Sequence, residues 1–167
     1  MRVISSLLRS SRFLALAAVF LAAGVATADA DSSSRVYVAG DSIGVGIAEA
    51  AHLPSVASGS APTSALAAQL ERIPPGSTVI VSTGTNDAVA GHDSAKLPTR
   101  ADLKLVYVGP PCVQTKWNDT QQRFAAFLAA NTRHISLPCL VATRTKDGIH
   151  FTGAGYATLW ATIRQQL

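Results

Sequence analysis

Four short stretches of this chain hold side chains suited to group transfer. They are Gly40-Asp41-Ser42-Ile43-Gly44, Ser58-Gly59-Ser60, Gly84-Thr85-Asn86-Asp87 and Asp147-Gly148-Ile149-His150. A serine hydroxyl is a poor nucleophile unless a base removes its proton. Imidazole is the side chain best suited to that task near neutrality. A carboxylate must then hold the imidazole in one tautomer and stabilise its cation. Neutral N–H donors must face the oxyanion that forms on attack at a carbonyl. Ser42, His150, Asp147 and Asn86 are residues of those types. Three of the stretches also have a plainer reading. Asp41-Ser42 would serve as a helix cap, Asn86-Asp87 as turn chemistry, and Asp147-Gly148 as a turn before a last helix. Asp87 reads as a structural or supporting residue. His52, His92 and His134 stand in no comparable setting and read as solvated or structural. No group of His, Cys, Asp and Glu has metal-ligand spacing, so no metal or cofactor is implied.

The surrounding elements decide whether these stretches meet. Arg35–Ala39 reads as a strand that breaks at Gly40 and runs directly into a helix over Ile43–His52. Ser55–Ser58 reads as a short strand, and Ala61–Ile73 as a helix with Leu66, Leu70 and Ile73 at helical spacing, stopped by Pro74-Pro75-Gly76. Ser77–Ser82 is a β-branched run of the kind found in strands buried on both faces. Leu103–Val108 and His134–Leu137 complete five expected strands, and Asp119–Ala130 and Thr152–Leu167 two further helices. Ala88–Ala101 has little pattern. Strand–helix alternation in one domain predicts a parallel sheet with helices on both faces. Ligands bind such sheets beyond the carboxyl ends of the strands. All four stretches directly follow expected strands or lie in the loop after the last one, so they fall at one rim. A Ser42 placed at a strand-to-helix turn has its own N–H at a helix N-terminus, where negative charge is favoured.

The first 30 residues have a different character. Arg2, Arg9 and Arg12 precede an unbroken apolar run, Phe13–Ala23, and Ala26-Thr27-Ala28 and Ala28-Asp29-Ala30 offer small-residue cleavage sites. This is the layout of a secretory signal peptide. The apolar run falls short of the roughly 20 residues that a membrane anchor needs. Cleavage after Ala30 leaves residues 31–167, enough for one domain with one core. Without Arg2, Arg9, Arg12 and Asp29 the net charge falls from +4 to +2. The mature domain therefore lacks the basic field that a nucleic-acid partner requires. A periplasmic or secreted location is expected, with no membrane span after cleavage. Cys112 and Cys139 are the only cysteines. An exported chain favours pairing them in a disulfide. For a loop of this length the chain-entropy relation gives roughly 3–4 kcal/mol of stabilisation.

Gly40-Asp41-Ser42, Gly59, Gly84-x-Asn86-Asp87 and Asp147-x-x-His150 occur in the order and approximate spacing of the four sequence blocks of the SGNH hydrolases, the GDSL-type lipases and esterases. The chain resembles that family over nearly all of its mature part, Val36 to about Leu159. The resemblance implies a flavodoxin-like three-layer α/β/α sandwich around a five-stranded parallel sheet. It implies Ser42 as nucleophile, His150 as base and Asp147 as the acid that orients it. It implies Gly59 N–H and the Asn86 side chain as oxyanion donors beside Ser42 N–H. The implied activity is hydrolysis of small acyl esters, of a small molecule, glycan or lipid, through an acyl-serine. The same chemistry with a sugar hydroxyl as acceptor would make an O-acyltransferase, and a member without catalysis would bind carbohydrate or protein. Gly40-Asp41-Ser42-Ile43-Gly44 also fits the G-x-S-x-G elbow of α/β-hydrolases. That fold places strands before its elbow, whereas Ser42 here follows the first.

Overall fold

The structure, a computed structural model, describes residues 35–167. The expected signal peptide lies outside the described residues. The β-branched run predicted to be doubly buried forms the interior strand β2 (Thr78–Ser82). It pairs in parallel with β1 (Val36–Gly40) on one side and β3 (Lys104–Val108) on the other, and β4 (His134–Ile135) adds to β3. The register sets Gly40 opposite Ser82 and Ser82 opposite Val108, so three strands end level.

The expected five-stranded sheet is corrected to four regular strands. Beyond β1, Ser55–Ser58 makes only an isolated parallel bridge, Ser55 with Val38. Val38 N–H donates to Pro54 O, Val56 N–H to Val38 O and Ser58 N–H to Gly40 O. The segment thus lies where a fifth strand would, in the order 2-1-3-4-5 of flavodoxin-like sheets. It stays irregular because it is an edge that begins with Pro54 and buries only Val56.

Among the described residues five α-helices accompany the sheet: α1 (Ser42–Ala51), α2 (Leu66–Leu70), α3 (Thr85–Val89), α4 (Asn118–Asn131) and α5 (Gly153–Arg164). Strand side chains alternate between two cores, as the two-residue period of a strand demands. Val38, Ile80, Val106 and Val108 meet Ile43 and Ile47 of α1 and Leu159 and Ile163 of α5. Ala39, Val79, Val81 and Tyr107 meet Leu66 and Leu70 of α2 and Phe124 and Leu128 of α4. The result is the three-layer α/β/α sandwich. Three expectations shift in extent. The helix expected over Ala61–Ile73 is a 3-10 turn (Thr63–Ala65) followed by the single turn-and-a-half of α2, because Pro62 delays its start. The strand expected over His134–Leu137 stops at Ile135, shortly before Pro138. The unpatterned stretch after β2 opens with α3, which was not expected as a helix.

Gly40 is the position where the turn leaves no choice of residue. Its φ is +119°, and a Cβ there would lie 1.6 Å from the carbonyl oxygen of Ser82. Gly40→Ala should therefore destabilise the fold by roughly 3 kcal/mol or more. Urea unfolding checks this, and a loss below about 1 kcal/mol would show that the turn relaxes freely.

Candidate active site

The β1–α1 turn is tied down from three sides. Asp41 N–H donates to Ser82 O at 2.9 Å. Gln69 grips Gly40 twice, accepting from its N–H at 2.6 Å and donating to its carbonyl at 3.0 Å. The fully buried Asp41 caps α1, and its Oδ1 accepts from Ile43 N–H (3.0 Å), Gly44 N–H (3.4 Å) and the Ser82 hydroxyl (3.0 Å). Burial pushes the Asp41 carboxyl pKa up, against the pull of the bonds from Ser82, Gly44 and Ile43. The cap is thus Asp41 and not Ser42. Ser42 is the first residue of α1, and its N–H has no hydrogen-bond partner among the described residues.

Asp147 and His150 lie on one hairpin-like loop. Thr152 N–H donates to Thr143 O at 2.8 Å, and Thr145 N–H to His150 O at 2.9 Å. The turn between the arms closes by Gly148 N–H donating to Thr145 O, with Gly148 at φ +69°. This turn folds the Asp147 carboxylate back onto its own loop. Oδ1 accepts from the Thr145 hydroxyl (2.6 Å), Ile149 N–H (2.9 Å) and His150 N–H (3.0 Å). Oδ2 lies 2.6 Å from His150 Nδ1. Partial burial works against the Asp147 charge, but the bonds from His150, Thr145 and Ile149 outweigh it and hold the carboxyl well below the usual carboxylate range. A carboxylate only accepts, so Nδ1 carries the imidazole proton and Nε2 is left as acceptor. Nε2 faces the Ser42 hydroxyl at 2.8 Å. The three residues, 108 and 3 positions apart in sequence, form one continuous hydrogen-bonded chain.

The expected oxyanion donors sit on the segments next to β1. Ser42 leaves the end of β1, with the edge segment before Gly59 on one side and β2, which leads to Asn86, on the other. Gly59 lies in an exposed turn, and its N–H has no partner among the described residues. Asn86 is half-buried near the start of α3, and its Nδ2 donates to Ala61 O at 3.1 Å. No hydrogen bond joins Gly59 or Asn86 to Ser42 among the described residues. Asp87 has a supporting place. Its Oδ2 accepts from Thr63 N–H (3.0 Å) and from the Thr63 hydroxyl (2.8 Å), which also lies 2.7 Å from the Thr83 hydroxyl. These bonds hold the Gly59–Thr63 loop against α3.

The remaining expectations fall as follows. Cys112 and Cys139 are joined in a disulfide across the rims of β3 and β4, with Cα atoms 5.3 Å apart. His52 ends α1 in a left-handed conformation, and His134 Nε2 bonds Gly109 O at 2.8 Å, so neither reaches Ser42. Among the described residues no group of three or more His, Cys, Asp or Glu could hold a metal ion. Two cavities, of about 310 and 370 Å³, lie beside Thr63–Ala67 and beside Val45–Leu53. Neither is lined by Ser42 or His150, and Ser42 itself is half-buried. Gln69, Thr145 and Arg144 were not singled out from sequence. Each acts through a contact that spacing does not encode.

A parallel sheet of this order has counterparts among solved structures. A GDSL-like lipase from Bacteroides thetaiotaomicron superposes with a TM-score of 0.55 at 17% identity, over 80% of this chain and 87% of that one. A member of the lipolytic protein G-D-S-L family from Veillonella parvula gives 0.56 at 11% identity, over 80% and 98%. An acetyl-xylooligosaccharide esterase from Geobacillus gives 0.51 at 15% identity, over 79% and 92%. The chain has the fold of these proteins. No protein-family model and no curated protein sequence matches it.

The depressed Asp147 pKa has a definite sign. A carboxyl whose folded pKa lies below its unfolded one stays ionised as pH falls, and its stabilising contribution is lost only as pH drops below the unfolded reference of about 3.9. In a carbon-13 NMR titration of the folded protein, the Asp147 carboxyl should show no transition between about pH 8 and the reference value near 3.9. A transition at the reference value would mean that the loop bonds do not hold the anion.

Proposed function

We propose that residues 31–167 are a serine esterase of the SGNH type, exported by the 1–30 leader to the periplasm or beyond. The observation that carries this reading is the unbroken chain Ser42 Oγ–His150 Nε2 and His150 Nδ1–Asp147 Oδ2 at the carboxyl rim of a G-D-S-L-type fold. Ser42 is the nucleophile. As its oxygen bonds the ester carbonyl carbon, its proton passes to Nε2 of His150, and Asp147 steadies the resulting imidazolium. The charge on the former carbonyl oxygen is met by Ser42 N–H, left free because Asp41 caps the next two amides. Gly59 N–H and the second N–H of Asn86 complete the hole. The alcohol leaves with the proton from Nε2, and water then repeats the sequence and releases the acid.

The substrate is an ester of a short acyl group. One neighbour of the same fold is named for acetyl groups on xylooligosaccharides, which fits an acetyl ester of a glycan hydroxyl. A neighbour named a lipase keeps short lipid esters in the class.

p-Nitrophenyl acetate tests the reading. Ser42→Ala should lower kcat by roughly 10⁴-fold or more. Asn86→Ala should lower it by roughly 10²–10³-fold with the fold intact. Full activity in Ser42→Ala would overturn the assignment, and full activity in Asn86→Ala would remove Asn86 from the hole. Free acetate as the product, even with a sugar acceptor present, marks a hydrolase; acetylated sugar would mark a transferase instead.

A further inference from the structure

The Asp147–His150 loop has little regular structure to hold it. It rests on two cross-arm hydrogen bonds, and its base is an antiparallel bridge between Arg144 and Phe151. Arg144 is an unexpected residue to find there. Its Nε and Nη2 atoms are buried and have no hydrogen-bond partner among the described residues. Unpaired buried donors are costly, so a purely structural staple would be better made from an apolar side chain.

What Arg144 touches explains its presence. Its guanidinium carbon stands 3.8 Å from the centre of the Phe151 ring, and its Nη1 donates to the carbonyl of Ile149. These are the two neighbours of His150. The Ile149 carbonyl belongs to the same peptide group as His150 N–H, which donates to Asp147 Oδ1 at 3.0 Å. A cation on one end of a peptide group polarises the N–H at the other and strengthens its bond to a carboxylate. Burial pulls the Arg144 pKa down, opposed by the negative charge of Asp147. Tyr156, from α5, stacks edge-on against Phe151 at 5.4 Å and closes the far side of the grip.

We propose that Arg144 is a positioning residue for the acid–base pair: it clasps both neighbours of His150 and, through the Ile149–His150 peptide, sets the imidazole on Asp147. The activity part of this proposal rests on the esterase reading; the geometric part does not.

The test compares Arg144→Met with the parent protein by two readouts. The first is the downfield proton resonance of His150 Nδ1–H, which reports the bond to Asp147 without any substrate. The second is kinetics on p-nitrophenyl acetate. The resonance should shift upfield or broaden while the rest of the spectrum stays folded. The kcat should fall roughly 10- to 100-fold with little change in KM, the cost of a small misplacement. Arg144→Lys, which keeps the charge but loses the fork, should fall between. Unmoved resonance in a folded Arg144→Met would overturn the proposal, whatever the activity. Should Arg144→Met fail to fold, Phe151→Leu removes the ring under the guanidinium, and an unmoved resonance there overturns it equally. A parent protein without esterase activity would sink the functional reading alone, because the resonance still decides the role of Arg144.

Discussion

The organisation of the site depends on one buried carboxyl. Asp41 has no exposed surface, yet it sits where a strand must become a helix within two residues. Its Oδ1 gathers three donors, two from the first turn of α1 and one from the end of β2. An N-cap bond of this kind is worth about 1 kcal/mol in ordinary helices. Its larger effect here is geometric. It locks α1 to the neighbouring strand at the moment the helix begins, so the Ser42 side chain inherits the rigidity of the sheet. By taking the amides of Ile43 and Gly44, it also leaves the Ser42 amide as the unclaimed donor at the positive end of the helix.

The neighbouring loops are arranged around that point by topology. The edge segment Ser55–Ser58 runs beside β1, and β2 lies on its other side, so the chain reverses its direction of travel across the sheet at β1. A crevice opens at such a switch because successive connections leave toward opposite faces. The loops that border it are joined by polar contacts in place of hydrophobic packing. Thr63, Thr83 and Asp87 form one buried cluster, and Asn86 reaches across to Ala61. Buried, satisfied hydrogen bonds of this kind fix direction more narrowly than apolar contact does. Such fixing matters for groups that must point amides at a developing charge.

The strands β1, β2 and β3 were legible because their β-branched runs are long and bounded by glycine or proline. The helices α4 and α5 were legible from apolar spacing, and α1 from its alanine-rich run directly after the first strand. The edge near Ser55 and the short β4 were over-read, since a strand with one partner and a single buried side chain has little to enforce regularity. Helix α3 was hidden because its five residues carry turn chemistry, Thr85-Asn86-Asp87, and no apolar stripe. At the site, Ser42, Asp147 and His150 could be seen because their side-chain types are the ones that acyl transfer requires. Gln69 and Arg144 could not. Gln69 lies on a helix whose pattern reads as ordinary core packing, and it matters only because Gly40, 29 residues earlier, passes beside it. Arg144 looks like any surface cation before an Asp-Gly turn until Phe151 folds underneath it.

The two halves of the site are therefore held by unlike means. Ser42 stands at the end of β1, which pairs with β2 on one side and bonds the Ser55–Ser58 segment on the other. Asp147 and His150 lie beyond β4, a strand of two residues at the sheet's far edge. Few apolar contacts and exposed backbone bonds mark the segments of a protein that open most readily. Three local devices compensate at that edge. The disulfide from Cys112 to Cys139 ties the chain after β3 to the chain after β4. Gln114 N–H, two residues beyond Cys112, donates to Gly148 O at 2.9 Å, so the tie reaches the turn between Asp147 and His150. Arg144 then closes the loop from inside. The covalent tie restricts where the loop can be, the backbone bond sets its height above β3, and the guanidinium sets its internal shape. A hydrogen bond of 2.8 Å between Ser42 and His150 tolerates only small errors in any of the three. The loose edge of the sheet can hold half of the hydrogen-bonded chain because its freedom is removed one direction at a time.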